Sequence, residues 1–220
     1  MNNDCIVEYI NAFPHELCDE LMSKWQSPKS DVMLDFHPTI PASIIEKVKT
    51  SRDLVINLQD PYLERLNLRY HETLQKSKDK YAKLLLEKNE DRISWSGGTN
   101  LFETTIIKSA QTHMVISRTD AGEMYNWHAD AHRDRLLTCI LYLNDMDEDA
   151  GGCTEFSNGR SVRPEKGKVL IFPATPQYIH RGAIVNRGSK YVITTFAVEP
   201  ELEERSAVPF KLPFKIKPDH

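Results

Sequence analysis

Between residues 60 and 87 the apolar positions recur every three or four residues. Leu63, Leu66, Tyr70, Leu74, Tyr81, Leu84 and Leu85 mark one face of a helix that starts at Asp60-Pro61 and runs to about Glu87. The Lys and Glu residues between them form the solvated face, so the apolar stripe is expected to pack on a sheet. Nearer the start, Ile6 to Ile10 reads as a short strand, and Pro14 opens a helix in which Leu17, Leu21 and Trp25 fall four apart. From Ser27 to Asp60, Pro28, Pro38 and Pro41 break up any sustained period. That stretch predicts loops, one short helix over 42–49 and an extended piece near Leu54.

After Ser96-Gly97-Gly98 the period changes from helical to alternating. Short β-branched runs follow one another: Thr104 to Lys108, Thr112 to Ser117, Leu136 to Leu143, Lys168 to Phe172 and Tyr191 to Val198, with Gly, Asn and Pro in the gaps. Many short strands with turn signals between them predict a barrel or double-sheet sandwich, and nothing alternates strand with helix. The expected class is α+β, a single domain over 1–220. Its parts are mainly helical support in 1–98, a β core in 99–198 and a tail in 199–220, whose last residues from Pro209 to His220 read as extended.

Composition narrows the partners. A net charge of −4 gives no bulk attraction to nucleic acid or to anionic membrane. The start of the chain has no basic segment followed by an apolar run, and no window approaches eighteen consecutive apolar residues. A cytoplasmic protein is the expectation. Cys5, Cys18, Cys139 and Cys153 include no CxxC pair and are too sparse for a disulfide framework, so they read as free thiols.

Candidate chemistry sits in Tyr125-Asn-Trp-His128-Ala-Asp130, with His180 far downstream and Lys190 ten residues beyond it. Roughly half an H-x-D triplet is expected by chance in such a chain, so the triplet alone is weak. The chain has two, and His132-Arg-Asp134 falls in a charged cluster that reads as a solvated connection. His128 and Asp130 lie at the end of a segment that can be extended, where residues two apart project to the same side. With His180 they could supply the two imidazoles and one carboxylate of an iron site with open coordination positions. His180 precedes a run that turns at Asn186-Arg-Gly188 and returns as Lys190-Tyr-Val-Ile-Thr-Thr-Phe. Alternation there puts Lys190, Val192, Thr194 and Phe196 on one face and Tyr191, Ile193 and Thr195 on the other. A lysine heading an inward face needs an anion, and the distal carboxylate of an oxo-diacid chelated to the metal would supply it.

These residues stand in a longer pattern. It runs through Arg135-Leu-Leu-Thr138-Cys-Ile-Leu-Tyr142-Leu-Asn144, Gly151-Gly152-x-Thr154-x-Phe156, Gly167-Lys-Val-Leu-Ile-Phe172 and His180-Arg-Gly182 to Lys190. In order and spacing it resembles the 2-oxoglutarate and Fe(II)-dependent dioxygenases of the prolyl 4-hydroxylase type, over about residues 100 to 198. The resemblance implies a double-stranded β-helix, the jelly-roll or cupin-like core, buttressed by amino-terminal helices. It implies Fe(II) on His128, Asp130 and His180, with O2 and 2-oxoglutarate as co-substrates and Lys190 on the distal carboxylate. By the same carry-over Tyr142 and Thr138 point into the co-substrate pocket, Thr194 lies beside Lys190, and Tyr125 lines the mouth near the metal. Where the oxygen-sensing members have a pocket tyrosine, this chain has Arg118, on the substrate side. The activity implied is hydroxylation coupled to oxidative decarboxylation of 2-oxoglutarate to succinate and CO2. Its substrate would be a prolyl residue of a peptide or protein, and ascorbate would rescue oxidised iron. Hydroxylation of another side chain or of a small metabolite is the alternative within the family. Outside it, the alternative is a metal-binding cupin-like module without catalysis, against which the spacing of Lys190 argues.

Overall fold

The computed structural model describes residues 5–25, 48–55, 61–88, 105–112, 114–132 and 134–199. The described residues include two α-helices and eleven strands. Strand β1 (Val7–Tyr9) precedes α1 (His15–Trp25), then come β2 (Arg52–Val55) and α2 (Pro61–Lys88). The core follows as β3 (Ala110–Gln111), β4 (Val115–Asp120), β5 (Tyr125–His128), β6 (Arg135–Tyr142), β7 (Thr154–Phe156), β8 (Ser161–Val162), β9 (Val169–Pro173), β10 (His180–Gly182) and β11 (Ser189–Val198).

The strands form two antiparallel sheets. The larger has the order β1-β9-β6-β11-β4-β2, with β3 also paired to β11, and the smaller has the order β5-β10-β7-β8. Helix α2 lies on the outer face of the large sheet because its stripe is apolar. Leu66, Tyr70, Leu74, Tyr81 and Leu85 are buried with Met114, Ile116, Cys139, Leu141, Ile171 and Ile193, which the large sheet and its lead-in supply. Cys18 and Leu21 bring α1 into the same core, while Leu17 is only half-buried. Polar ends of the aromatic residues are satisfied across the interface: the hydroxyls of Tyr70 and Thr195 bond at 2.8 Å, and Tyr81 Oη donates to Cys5 O at 2.9 Å.

Between the sheets the space divides in two. One part is a second apolar core of Ile6, Ile140, Tyr142, Phe156, Val162, Leu170 and Phe172, with Phe156 and Phe172 meeting edge to face at 5.0 Å. The other part is left open as a cavity. Two packed antiparallel sheets with helices on one outer face are the double-stranded β-helix expected of the chain.

The strand and helix positions expected from the sequence hold within a few residues for β1, α1, β2, α2, β6, β9 and β11. Two expectations need correcting. Residues 105–107, read as strand within Thr104 to Lys108, form a helical turn. Ser109 donates to Ile106 O through both its amide (3.4 Å) and its hydroxyl (2.7 Å), and Gln75 of α2 donates to Ile107 O at 3.0 Å, so tertiary partners override the β-branched run. The strand expected from Thr112 starts only at Val115, because the Thr112 hydroxyl takes over a ladder position by accepting from Phe196 N at 3.0 Å. The amino-terminal part is also more than helical support, since β1 and β2 form the two edges of the large sheet. The short helix expected over 42–49, all but its last two residues, and the tail over 209–220 lie outside the described residues. Among the described residues no helix is long and apolar enough to cross a membrane.

Candidate metal centre

His128 is the last residue of β5, and His180 is the first of β10; antiparallel pairing sets them directly opposite each other. Asp130, two residues past His128 and just beyond the strand end, faces both. Its Oδ1 lies 3.6 Å from His128 Nε2 and its Oδ2 lies 3.5 Å from His180 Nε2. One ligand atom from each of the three falls within 4.8 Å of the others, so the trio could hold a metal ion.

The donor chemistry fits a divalent transition metal. Each ring presents Nδ1 to a main-chain carbonyl, His128 to Asn126 O at 2.7 Å and His180 to Tyr178 O at 3.0 Å. A carbonyl accepts only, so Nδ1 carries the proton and the Nε2 lone pairs of both rings point into the centre. Burial, and then His180 beside it, push His128 down to about 4, which keeps that imidazole neutral at physiological pH. Tyr125 stacks on His128 with ring centroids 3.7 Å apart, and Phe172 meets His180 edge-on at 4.8 Å, so both rings are fixed by packing. The rival pair behaves as a solvated loop: His132 bonds Asp134 at 2.5 Å, and both are exposed.

The metal trio opens on a cavity of about 130 Å³. On the far wall, the alternation of β11 is as the sequence implied: Lys190, Val192, Thr194 and Phe196 line the cavity, while Tyr191, Ile193 and Ala197 enter the helix-side core. Lys190 is only 6 % exposed. Its Nζ donates to Gly152 O at 2.9 Å, and burial lowers its pKa to about 8. An ammonium held in a cavity wall at that cost is poised for an anion.

Other expected residues stand differently. Thr138 is not among the residues that line the cavity; its hydroxyl donates to Asp130 Oδ2 at 2.8 Å and so orients a member of the trio. Tyr142 sits one layer behind the wall, its hydroxyl bonded at 2.7 Å to that of Thr154, which does line the cavity. Arg118 requires a correction. On β4 it is Val115, Ser117 and Thr119 that face the cavity, and strict alternation turns Arg118 outward. There its Nε donates to Asp120 Oδ1 at 2.7 Å, and its guanidinium lies over the Tyr191 ring at 5.7 Å.

Several lining residues were not singled out from the sequence. Lys49 and Ser51 enter from the segment that leads into β2. This segment is stitched to both sheets, by a bridge from Lys49 to Tyr125 and by β2 pairing with β4. Asp53 ties it inward, bonded to Lys49 and to the Ser117 hydroxyl. The alternation Lys49, Ser51, Asp53 was the available signal. Arg135 also lines the cavity, its guanidinium 3.6 Å from the Phe196 ring centroid. Counting by twos back from Ile140 would turn it outward; an irregularity opposite Ala197 and Val198 shifts the register by one and brings it in.

Residues 114–198 match the family model described as the 2OG-Fe(II) oxygenase superfamily. Over 89 residues the chain is 32 % identical to a PKHD-type hydroxylase of Synechococcus sp. (strain CC9605), covering 36 % of this chain and 38 % of that protein. Over 97 residues it is 31 % identical to the 2-oxoglutarate and iron-dependent oxygenase domain-containing protein 3 of Rattus norvegicus, covering 39 % and 31 %. The chain thus spans about a third of the length of these curated relatives. Among solved structures, a viral collagen prolyl hydroxylase from Paramecium Bursaria Chlorella virus-1, in complex with 2OG, superposes with a TM-score of 0.58 at 17 % identity, over 89 % of this chain and 96 % of the other. A prolyl hydroxylase from Trichoplax adhaerens, in complex with a hypoxia inducible factor peptide fragment, gives 0.59 at 16 % identity, over 96 % and 89 %. At such identities the likeness is one of fold.

Proposed function

Since residues 114–198 match the family model of the 2OG-Fe(II) oxygenase superfamily, we propose that this chain is a 2-oxoglutarate- and Fe(II)-dependent dioxygenase that hydroxylates a prolyl residue of a peptide or protein. One observation carries the reading. A trio of metal-ligand atoms within 4.8 Å and a buried lysine share one cavity, on facing walls. In this reading the described parts act as a single dioxygenase domain.

His128, Asp130 and His180 would hold Fe(II), and Lys190 would take the distal carboxylate of 2-oxoglutarate. Fe(II) bound there, with 2-oxoglutarate and O2, supplies the oxidising power that inserts one oxygen atom into a substrate C–H bond while succinate and CO2 leave. The chain's own residues do the positioning. Carbonyls of Asn126 and Tyr178 fix the two imidazoles, and Thr138 holds one carboxylate oxygen of Asp130, which would keep the carboxylate oriented for a bound metal. Val192, Ile140 and Val115 make part of the cavity wall apolar and would limit water around the reacting groups. Lys190 would offer donors to the distal carboxylate from the opposite wall of the same cavity.

The prolyl part draws on two supports. Both solved neighbours named above are prolyl hydroxylases. On the same cavity wall, the Arg135 guanidinium stacks over the Phe196 ring at 3.6 Å, and the pair would offer a flat face to a pyrrolidine and donors to peptide carbonyls.

The test is succinate formation from 2-oxoglutarate by anaerobically iron-loaded protein on exposure to O2, with and without ascorbate, followed by a prolyl-peptide screen for gain of one oxygen by mass. Turnover lost in His128→Ala and in Lys190→Ala is the expected result. A wild-type protein that binds Fe(II) but never consumes 2-oxoglutarate would rule the reading out.

A further inference from the structure

The run His180-Arg-Gly182 ends on a glycine to which the site described so far gives no task. Gly182 follows His180 by two positions on β10 and therefore faces the same side. Its partners across the small sheet are Tyr125 on β5 and Thr154 on β7. All three line the cavity, as does Lys190 opposite. The inward face of the small sheet thus carries one bare position, and it faces the ammonium.

The bareness has a measurable cause. A Cβ on Gly182 would come within 3.3 Å of Lys190 Nζ and 3.5 Å of Tyr125 Cβ. Gly182 is not among the glycines of positive φ, so its backbone is open to any residue and no turn requires glycine here. What requires it is room beside the ammonium. Gly152 closes the other side: its carbonyl accepts from Lys190 Nζ at 2.9 Å, and a Cβ on it would lie 3.4 Å from Lys190 Cδ. Among the described residues no second acceptor is bonded to Nζ, so the ammonium's other donors remain for a ligand arriving over Gly182.

We propose that Gly182 is a specificity-determining residue for the co-substrate: the space left by its missing side chain is the seat of the distal carboxylate, and it sets the length of oxo-diacid that fits between Lys190 and the metal trio. The inference rests on the 2-oxoglutarate reading of the site. Alanine at 182 fills the seat with a methyl group. The carboxylate must then stop short of the ammonium, so a diacid one methylene shorter loses less than 2-oxoglutarate, and an oxoacid without a second carboxylate loses nothing.

The experiment is calorimetric titration of the Mn(II)-loaded full chain, without O2, by 2-oxoglutarate, oxaloacetate and 2-oxobutyrate, in wild type and Gly182→Ala. The substituted methyl meets the flexible end of a lysine, so the fold is retained, and unchanged Mn(II) affinity checks that. For 2-oxoglutarate a loss of about ten- to a hundred-fold is expected, the range for overfilling a packed site. The preference for 2-oxoglutarate over oxaloacetate should fall, and 2-oxobutyrate should bind the variant as it binds wild type. Equal binding of 2-oxoglutarate to both proteins overturns the inference, as does a parallel loss of all three ligands, which a distorted barrel would produce. If wild type itself fails to distinguish 2-oxoglutarate from 2-oxobutyrate, the role given to Lys190 fails, and the role of Gly182 falls with it.

Discussion

Of the three lysines buried among the described residues, Lys168 is ion-paired with Glu8 and Glu165, and the other two make a contrast, one where α2 meets the large sheet and one in the cavity wall. Lys78 is fully inaccessible, and its Nζ donates to both the carbonyl (2.9 Å) and the hydroxyl (3.1 Å) of Ser109. Lys190 is almost as buried, but its Nζ donates to a single described acceptor and borders open space. Burial lowers the pKa of both. They differ in what offsets that cost. Lys78 is satisfied by backbone and hydroxyl within the fold and pins the turn after 105–107 to α2, whereas Lys190 keeps donors for something the fold does not contain. A buried charge thus marks a site only when its partners are incomplete and a cavity lies beside it.

Substituting the two lysines should give opposite outcomes. Lys190→Ala should weaken 2-oxoglutarate binding by about a hundred-fold or more, the scale of losing one partner of a buried charge pair. Its urea midpoint should not fall, since a buried cation has been removed. Lys78→Ala should leave that affinity within about two-fold and cost roughly 2–4 kcal/mol of stability through a cavity and an orphaned Ser109. A Lys78→Ala protein that keeps its stability but loses co-substrate would break the comparison.

On the metal side, Thr138→Val should weaken Fe(II) or Co(II) binding about ten- to a hundred-fold, as loss of a ligand's hydrogen-bond partner does. Thr138→Ser, which keeps the hydroxyl, should recover it; equal defects in both variants would assign Thr138 to packing alone.

The pH dependence is smaller and has two signs. In the free protein Lys190 holds its proton less tightly, at about 8, than in the unfolded chain, at 10.5. Between those values the native state binds fewer protons, so its burial cost is fully present below about 8 and fades as pH rises to 10.5. Stability of the free protein should therefore rise across that window relative to Lys190→Met. Co-substrate affinity should move the other way, falling about ten-fold per pH unit above the lysine's pKa, because the neutral amine loses the ion pair. Titrations at several pH values check both signs, and a slope that survives in Lys190→Met would assign it to another group. The smallest effect belongs to Arg118→Ala, since the side chain points away from the cavity: turnover within about two-fold, and stability within about 1 kcal/mol for a half-exposed ion pair.

Alternation and spacing made much of this legible. The stripe from Leu66 to Leu85 gave α2, and the period of β11 assigned Lys190 and Thr194 to one face and Thr195 to the other before any sheet was known. The trio was legible because strand residues two apart share a side and the pattern around them was long. What escaped depended on breaks in regularity. Arg135 faces the cavity only through the register shift beside Val198, and the 105–107 turn is helical because Gln75 and Ser109 claim its carbonyls. Arg118 was misjudged by one step of alternation, the smallest error a strand allows and one that reverses the face. Lys49, Ser51 and Asp53 do alternate, but in a segment so short and polar that three positions did not stand out as a strand face.

The order of strands in the large sheet bears on how the chain is made. Its middle strand, β11, holds β6 on one side and β4 with β3 on the other, and it is the last strand of the described chain. Until residues 189–198 have left the ribosome, the two halves of that sheet have nothing to join them. β1 meanwhile waits for β9, more than 150 residues downstream, to register Val7 against Ile171. Folding is therefore a late and largely single event with distant contacts, of the slow kind. A nascent chain stopped before β11 has His128, Asp130 and His180 but neither Lys190 nor a closed sheet, so stalled or prematurely terminated products should be aggregation-prone.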